Sequence, residues 1–211
     1  ELEGDEFVFD FEDFGKAGER YFDEFGFTGI RLPLVGMGGG TFHSRRKGQI
    51  GGYEQGTEEH EKLFHQYAST VENYLREKGW LDLAYIYWFD EPNPRDYAFV
   101  QEGMEMIHRH APGLKRMLTE QPEEELYDYV DIWCPVLNAY DEEACRERQQ
   151  AGEEIWWYVC TGPKEPYPGL FIDHPAVDMR IWLWMTHKYD VEGCLVWQSN
   201  YWSSSAAFPP P

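Results

Sequence analysis

The sequence predicts an α/β fold, and within that class a (β/α)8 TIM-type barrel of which about seven strands are present. Short runs of apolar, β-branched and aromatic residues alternate with stretches whose apolar residues recur at helical spacing. This alternation is typical of a parallel sheet whose strands are joined by helices. A doubly wound open sheet fits it as well. Polar or aromatic residues end the strands all along the chain, however, and this favours the barrel, whose functional groups lie at strand ends.

Each predicted element follows from its local residue pattern. Strand-like runs occupy residues 7–11, 29–35, 84–89, 114–119, 130–136, 155–160 and 193–197. Helical spacing covers residues 14–25, 57–75, 97–112, 141–152 and 175–189, and residues 123–129 form a short helix or turn. Gly26 suits the end of the first helix, and Thr57 suits the N-terminal cap of the second. A long glycine-rich loop, residues 36–56, precedes Thr57.

The chain is shorter than the predicted barrel requires. A (β/α)8 barrel typically needs about 250 residues, whereas this sequence has 211. We therefore expect one barrel domain over residues 1–205 that begins after a missing first strand, followed by a tail or linker at residues 206–211. Any targeting signal would then lie upstream.

The composition limits the expected partners. The chain carries 39 acidic and 18 basic residues, a formal net charge of -21, so nucleic acid and anionic membrane surfaces would repel it. No apolar run reaches the length of a membrane span, so we expect no membrane insertion. The loop at Gly36–Gly40 lacks the GK[ST] ending and the GxGxxG spacing of nucleotide sites. The four cysteines form no CxxC pair and the histidines no HExxH motif, so we expect neither a cofactor nor a metal ion.

Two adjacent carboxylates, Asp90 and Glu91, end the aromatic run at residues 85–89. A buried unpaired carboxylate is costly, so these acids must meet solvent, a basic partner or a ligand. Two carboxylates in one site can divide the roles of acid and base, as glycoside hydrolysis requires. A helix start with acids near its positive end is the plain alternative. The strand before the pair favours catalysis.

Other residues near predicted strand ends are candidates for substrate contacts. Aromatic residues make up 17% of the chain, and flat aromatic faces suit both a core and the apolar faces of sugars. The candidates are Arg45 and Tyr53 on the glycine-rich loop, Glu120 after the fourth strand, Asn200 after the last strand, and Trp133, Trp156, Tyr158 and Trp197. Each has a plain alternative as a solvated loop residue, a cap or a core residue. Because neighbouring side chains in a strand alternate, Trp156 and Trp157 cannot both face the barrel axis.

Five ordered segments resemble the catalytic domain of glycoside hydrolase family 123, also known as domain of unknown function 4091. They are YIYWFDEPNP, RMLTEQP, VDIWCPV, WWYVCTGPKEPYPGLFIDHPAVDMRIWLW and GCLVWQSNYW. The resemblance extends from Phe7 to about Trp202, and the ordered set is specific where each piece alone is not. It implies a (β/α)8 barrel that usually follows an N-terminal β-sandwich. A glycan substrate and an upstream domain of the same chain are therefore expected.

The resemblance also implies a retaining β-N-acetylgalactosaminidase that works by substrate assistance. The family's Asp-Glu pair matches Asp90 and Glu91. Glu91 would be the general acid and later the base, and Asp90 would orient the 2-acetamido group, whose carbonyl oxygen attacks the anomeric carbon. Such enzymes are exceptions to the scheme in which a second carboxylate is the nucleophile. Tyr158 would donate a hydrogen bond to the acetamido oxygen. The Asp-Glu pair alone does not determine specificity for N-acetylgalactosamine, because an enzyme that cleaves another 2-acetamido sugar would carry the same pair.

Three alternatives remain open at this point. The first is an ordinary retaining glycosidase with a separate nucleophile, for which Asp173 and Glu120 are the visible candidates. The second is a non-catalytic carbohydrate-binding barrel whose acids only accept hydrogen bonds from sugar hydroxyls. The third is a piece too incomplete to fold alone, because a lost strand leaves exposed sheet edges. Our expectation is a glycosidase, secreted or periplasmic.

Overall fold

The computed structural model describes residues 2–4, 6–40 and 45–198, and the chain divides into two compact units, residues 1–133 and 134–211. The strands of the first unit are β1 (Leu2–Glu3), β2 (Glu6–Phe7), β3 (Ile30–Leu32), β4 (Gln49–Ile50), β5 (Tyr53–Glu54), β6 (Ala84–Tyr87), β7 (Lys115–Leu118) and β8 (Ile132–Trp133). Its helices are α1 (Glu12–Gly18), which continues as a π-helical segment (Glu19–Glu24), α2 (Glu58–Lys78) and α3 (Tyr97–His110). The second unit contains α4 (Glu142–Ala151), β9 (Glu154–Tyr158), α5 (Val177–Lys188) and β10 (Gly193–Leu195).

Four parallel strands form the main sheet of the first unit, in the order β3-β6-β7-β8. The register places Tyr87 of β6 opposite Met117 of β7, and Leu118 of β7 opposite Trp133 of β8. Parallel strands point the same way, so the residues that follow β6 and β7 emerge at one edge of the sheet. Asp90, Glu91 and Glu120 follow these two strands.

Capping side chains and left-handed glycines mark helix ends in the first unit. The Thr57 side chain accepts a hydrogen bond from the backbone N–H of His60 at 3.3 Å, so Thr57 caps α2 as predicted. Gly79 ends α2 in a left-handed conformation, with φ of 72°, which costs a glycine little. The buried face of α2 carries Leu63, Phe64, Ala68 and Leu75, and α2 packs against α3. Gly26, after the π-helical segment, has φ of 68°, as its predicted place at the end of the first helix requires.

The strand predicted over residues 7–11 is wrong beyond Phe7. β2 pairs only with β1, in a short antiparallel ladder, and not with the parallel sheet. The aromatic side chains that follow pack on a helix: the rings of Phe9 and Phe11 stack at 5.6 Å, and Phe11 stacks on Tyr74 of α2 at 4.1 Å. Alternating aromatic residues therefore cover a helix here and do not form a strand.

The second unit also has parallel strands with helices between them. β9 pairs with β10, with Gly193 opposite Trp156, and an isolated parallel bridge joins Val136 to Tyr158. α4 packs on β9, begins at Asp141, whose side chain accepts from Ala144 at 2.8 Å, and ends at a left-handed Gly152. Asp141 and Gly152 thus cap the helix that was predicted over residues 141–152.

The α/β fold is confirmed by six parallel strands, four in the first unit and two in the second, with helices between them along the chain. The closed eight-stranded barrel and the domain bounds of 1–205 stay predictions. The tail predicted at residues 206–211 lies outside the described residues. None of the described helices is both long and apolar enough to cross a bilayer.

Candidate active site

The chain that leads from β6 to the acidic pair is anchored by packing and by a backbone hydrogen bond. Phe89 is fully buried, and the ring of Trp88 packs on Phe99 of α3 with ring centres 5.4 Å apart. The backbone N–H of Asp90 donates to the carbonyl of Gly40 in the glycine-rich loop at 2.8 Å. The strand end and the loop therefore meet at Asp90, which is half-buried.

Two hydroxyl groups hold the Asp90 carboxylate through the same oxygen. Tyr87, three residues earlier, and Thr119, at the end of β7, both donate to Oδ1, with the Thr119 bond at 3.1 Å. The Tyr87 hydroxyl also lies within hydrogen-bond distance of the Thr119 hydroxyl oxygen, at 3.2 Å, so the two hydroxyls and the carboxylate form one cluster. The Thr119 oxygen in turn accepts from the backbone N–H of Glu91 at 2.7 Å. Among the described residues no donor contacts Oδ2 of Asp90, so this oxygen is available to a ligand.

Glu91 combines an exposed side chain with a strained backbone. Its φ is 45°, in the left-handed region that residues other than glycine rarely adopt. Such conformations cost about 1 kcal/mol or more and concentrate at functional sites. The bond from its N–H to Thr119 holds the backbone in this conformation. Asp90 and Glu91 therefore present two carboxyl groups of different surroundings, one fixed by hydroxyls and one open to solvent.

Glu120 is a third carboxyl group near the pair, and it is buried. Its residue is 8% exposed, and this burial, more than any other factor, raises the pKa of Glu120 to about 7. The negative charges of Glu123 and Glu91 raise this pKa further, while the N–H of Gln121 and the Tyr97 hydroxyl lower it. Burial and the neighbouring carboxylates, chiefly Glu120, raise the pKa of Tyr97 above its ordinary value. A carboxyl with a pKa near 7 carries a proton for much of the time at neutral pH.

The contribution of Tyr87, Thr119, Tyr97 and Arg31 was not predicted from the sequence. The Arg31 guanidinium lies 5.3 Å from the centre of the Tyr87 ring and contacts the Tyr87 carbonyl at 3.4 Å. Tyr87 and Thr119 become neighbours because they end adjacent parallel strands. The strand order would have been needed to find them, since 32 residues separate them in the chain.

Arg45 and Trp133, two predicted substrate contacts, have other partners. The Arg45 Nε is bound to the buried carboxylate of Asp96, and this guanidinium lowers the pKa of Asp96. Arg45 thus anchors the glycine-rich loop to the start of α3. Trp133 has no exposed surface and packs edge-on against Tyr127 at 6.0 Å. A sugar stacks only on an open ring face, so we place Trp133 in the core. Tyr53 lies in β5, opposite Ile50, in a hairpin that packs on α2.

The remaining candidates belong to the second unit or lie outside the described residues. Trp157 is fully buried and donates from Nε1 to Thr186 of α5 at 3.1 Å, whereas Trp156 is half-buried and donates to Glu154. The two neighbouring indoles thus lie on opposite faces of β9, as strand alternation predicts. Tyr158 is 7% exposed, and Trp197, beyond β10, is 56% exposed. Asn200 lies outside the described residues. No cluster of three or more potential metal ligands is present among the described residues.

Paired carboxylates at the end of a parallel strand are groups that glycoside hydrolysis can use. The chain matches the family model described as glycoside hydrolase 123, catalytic domain, over residues 3–208. The chain therefore belongs to this family. The family assignment confirms the resemblance drawn from the sequence.

One solved structure agrees with this assignment at the level of the fold. A family 123 glycoside hydrolase from Clostridium perfringens, whose structural study concerns glycolipid glycan hydrolysis, aligns with a TM-score of 0.51 at 22% identity. The alignment covers 68% of this chain and 26% of the Clostridium protein, so the chain corresponds to about a quarter of that protein's length. No curated protein matches the sequence.

Two further structures are less similar. A putative glycerophosphoryl diester phosphodiesterase from Silicibacter pomeroyi DSS-3 aligns at 16% identity over 62% of this chain and 40% of its own, with a TM-score of 0.34. An endo-1,4-β-mannanase from Rhizomucor miehei aligns at 13% identity over 68% and 54%, with a TM-score of 0.36. Similarity at this level carries no argument about function.

Proposed function

We propose that this chain carries the catalytic pair of a retaining glycosidase that cleaves β-linked 2-acetamido sugars, of N-acetylgalactosaminidase type, by substrate assistance. One observation supports this above the others. Among the described residues, the donors to the Asp90 carboxylate contact Oδ1 alone, and Asp90 lies directly beside the exposed Glu91. The two acids can therefore act on two neighbouring substituents of one sugar.

Each acid has a separate task in this reaction. Asp90 accepts a hydrogen bond from the N–H of the 2-acetamido group, which orients the group and stabilises the positive charge that develops on it. The acetamido carbonyl oxygen forms a bond to the anomeric carbon as the bond to the leaving oxygen breaks. Glu91 gives its proton to that leaving oxygen. Glu91 then takes a proton from water as the water attacks the oxazolinium intermediate, and the configuration is retained.

The surroundings of Glu120 argue against its role as a separate nucleophile. A carboxylate nucleophile must be ionised to attack the anomeric carbon. The pKa of Glu120 is raised to about 7 by its burial, so a large fraction is protonated at neutral pH. Asp173, the other candidate, is an exposed residue of the second unit. The substrate's own acetamido group therefore supplies the nucleophile in our proposal.

The family and one structural neighbour support our choice of substrate class. The work on the Clostridium protein concerns hydrolysis of glycolipid glycans. We propose the non-reducing end of such a glycan, with a β-linked 2-acetamido sugar, as the substrate to test first. Contacts of Trp156, Tyr158, Trp197, Tyr53 and Asn200 with the sugar stay predictions.

A panel of aryl glycosides tests the proposal. The full chain should release the aryl group from β-N-acetylgalactosaminides and not from the matching β-galactosides, because only the first carry the nucleophile. A thiazoline analogue of the sugar should inhibit, and fluorosugars that trap covalent enzyme intermediates should not. Binding of the sugars without turnover of any acetamido glycoside would support a carbohydrate-binding protein instead.

Two substitutions divide the roles of the pair. Glu91→Gln should lower turnover by about 10²–10⁴-fold, the loss expected for general acid–base catalysis. The loss should be smaller with activated leaving groups, which need little protonation. Asp90→Asn should lower turnover by about 10²-fold or more for all leaving groups, because the acetamido group is misplaced. Glu77→Gln, the same change on an exposed face of α2, is the matched control and should leave turnover unchanged.

A further inference from the structure

The glycine-rich loop contacts the chain at two points around the acidic pair. At the start of the pair, the backbone N–H of Asp90 donates to the Gly40 carbonyl at 2.8 Å. Beyond the pair, the Arg45 guanidinium is bound to the carboxylate of Asp96. The short segment that carries both acids is therefore held by the loop at each end.

Glycines allow the loop to approach this segment closely. The indole N–H of Trp88 donates to the Gly38 carbonyl at 3.2 Å. A Cβ atom at Gly40 would overlap the backbone carbonyl of Trp88, and one at Gly38 would overlap the backbone carbonyl of Arg46. The glycines at residues 36–40, which fit no nucleotide site, thus have a packing role directly beside the acidic pair.

The two arms of the loop are joined to each other next to these contacts. The backbone N–H of Gly39 donates to the Arg46 carbonyl at 2.7 Å. These two residues are the chain neighbours of Gly40 and Arg45. A displacement of Arg45 is therefore passed, through one backbone hydrogen bond, to the carbonyl that holds Asp90.

The ion pair between Arg45 and Asp96 fixes the loop to the interior of the protein. The side chain of Asp96 is fully buried, whereas that of Arg45 is 31% exposed. The second carboxylate oxygen of Asp96 accepts from the backbone N–H of Asn93 at 2.8 Å, so Asp96 also holds the turn that follows Glu91. Without Arg45, this buried carboxylate would lose the guanidinium that balances its charge.

We propose that Arg45 is a positioning residue of the acidic site, which acts on catalysis through the backbone of Asp90. The inference rests on the proposed role of Asp90, which orients the 2-acetamido group. Arg45 does not touch the sugar. Its ion pair keeps the loop against the strand end, so that the Asp90 carboxylate stays where the acetamido group needs it. Misplacement of such a group by about 1 Å can lower the rate by about 10²-fold.

The turnover of aryl β-N-acetylgalactosaminides by Arg45→Met tests the inference. Turnover should fall by about 10–10²-fold for all leaving groups, the pattern expected of Asp90→Asn. Arg45→Lys keeps the charge and should restore part of the activity. Lys47→Met removes a charge of the same sign from the same loop and should leave turnover unchanged, because the side chains of Lys47 and its partner Glu54 are both 59% exposed.

Two double variants show whether Arg45 acts through Asp90. In the Asp90→Asn background, Arg45→Met should cause little further loss, because the carboxylate that Arg45 positions is already gone. In the Glu91→Gln background, the loss caused by Arg45→Met should remain close to its full size. Equal further losses in the two backgrounds overturn the inference.

Hydrogen exchange separates this inference from the proposed function. The Asp90 amide, followed by NMR in the folded chain, should exchange about tenfold faster in Arg45→Met and at the wild-type rate in Lys47→Met. Unchanged exchange of this amide in Arg45→Met overturns the inference. If the exchange is faster but no acetamido glycoside is hydrolysed by the wild type, the proposed function fails and the hold of the loop on Asp90 stands.

A second variant keeps the test decisive if Arg45→Met does not fold. The double substitution Arg45→Met with Asp96→Asn removes both charges of the ion pair and leaves no unpaired carboxylate in the interior. The same loss of turnover and the same faster exchange of the Asp90 amide are expected of it. Wild-type values in this double variant overturn the inference.

Discussion

The hydroxyl of Thr119 accepts a hydrogen bond from the backbone N–H of Glu91 at 2.7 Å, and this bond ties together the ends of two adjacent parallel strands. The same hydroxyl donates to Asp90 at 3.1 Å. Thr119 is 4% exposed, so it reaches the acidic pair from within the protein. A single side chain therefore fixes one acid through its carboxylate and the other through its backbone.

Replacement of Thr119 by valine should test this arrangement, because valine has nearly the same shape and lacks the hydroxyl. The backbone N–H of Glu91 loses its partner, and Asp90 loses one of two donors. We expect a loss of about 1–3 kcal/mol in the free energy of unfolding. We also expect a fall in kcat, because the strained Glu91 backbone is no longer held. Urea unfolding and aryl glycoside kinetics measure the two effects.

Thr119→Ser is the control for this change, since serine keeps the hydroxyl and loses only a methyl group. Its turnover should stay near the wild-type value. If Thr119→Val had wild-type kcat, the hydroxyl would be unnecessary to the placement of the pair.

Gly103 in α3 should not tolerate alanine, although alanine ordinarily stabilises a helix relative to glycine by about 0.5–1 kcal/mol. A Cβ atom at Gly103 would overlap the ring of Trp88. Trp88 precedes Asp90 by two residues in the chain. We expect Gly103→Ala to destabilise the protein by about 1–3 kcal/mol, the usual cost of overpacking. Thermal unfolding measures this.

A double substitution shows whether the Trp88 ring is the cause. Trp88→Phe shortens the side chain and makes room for the new methyl group. The two changes together should cost less than the sum of the separate costs. Additive costs would mean that Gly103 matters for another reason.

Arg116 holds the turn before β8 through a bidentate ion pair with Asp131. Its guanidinium donates to both carboxylate oxygens of Asp131, at 2.8 and 3.0 Å, and to the Asp128 carbonyl at 3.1 Å. Arg116 is 5% exposed, so lost bonds leave polar groups without partners. Lysine cannot reproduce the planar fork. We expect Arg116→Lys to lower the free energy of unfolding by about 1–3 kcal/mol.

The same substitution on the surface provides the comparison. Arg146 on α4 pairs with Glu142 at 2.9 Å, and both side chains are more than half exposed. Exposed pairs of this kind contribute about 0.3–0.5 kcal/mol. Arg146→Lys should therefore change the free energy of unfolding little. Equal effects of the two substitutions would show that the buried ion pair of Arg116 with Asp131 does not depend on the guanidinium geometry.

Periodicity and caps predicted most elements, because these signals are local. The runs that became β6 and β9 are rich in aromatic and other apolar residues, and Thr57 and Gly26 mark helix ends through their own side chain or backbone. The aromatic residues 7–11 misled the prediction. Alternation shows that one face is apolar, but it cannot say whether a sheet or a helix covers that face.

The acidic pair was visible in the sequence, but its support was not. Asp90 and Glu91 stand out at the end of an aromatic run. Tyr87 and Thr119 are ordinary strand residues until the parallel register brings them together. The burial of a side chain could not be predicted from the sequence either. Trp133 and Trp197 both follow apolar residues in strand-like runs, yet Trp133 is fully buried and Trp197 is 56% exposed. Local patterns therefore predict elements and chemistry, whereas partners and exposure depend on packing.

The stability of the protein should depend on pH through Glu120. In the folded chain its pKa is raised from the ordinary 4.5 to about 7. Between these values the folded state binds more protons than the unfolded state, so this group's contribution to stability falls as pH rises and is lowest above about pH 7. The slope can reach about 1.4 kcal/mol per pH unit for one group.

Glutamine mimics the neutral acid and has no such loss, so Glu120→Gln should become more stable relative to wild type as pH rises. Urea unfolding of both proteins across this range measures the difference, in which titrating groups that do not interact with Glu120 cancel. A constant difference for Glu120→Gln would mean that Glu120 ionises in the folded protein as readily as in the unfolded chain.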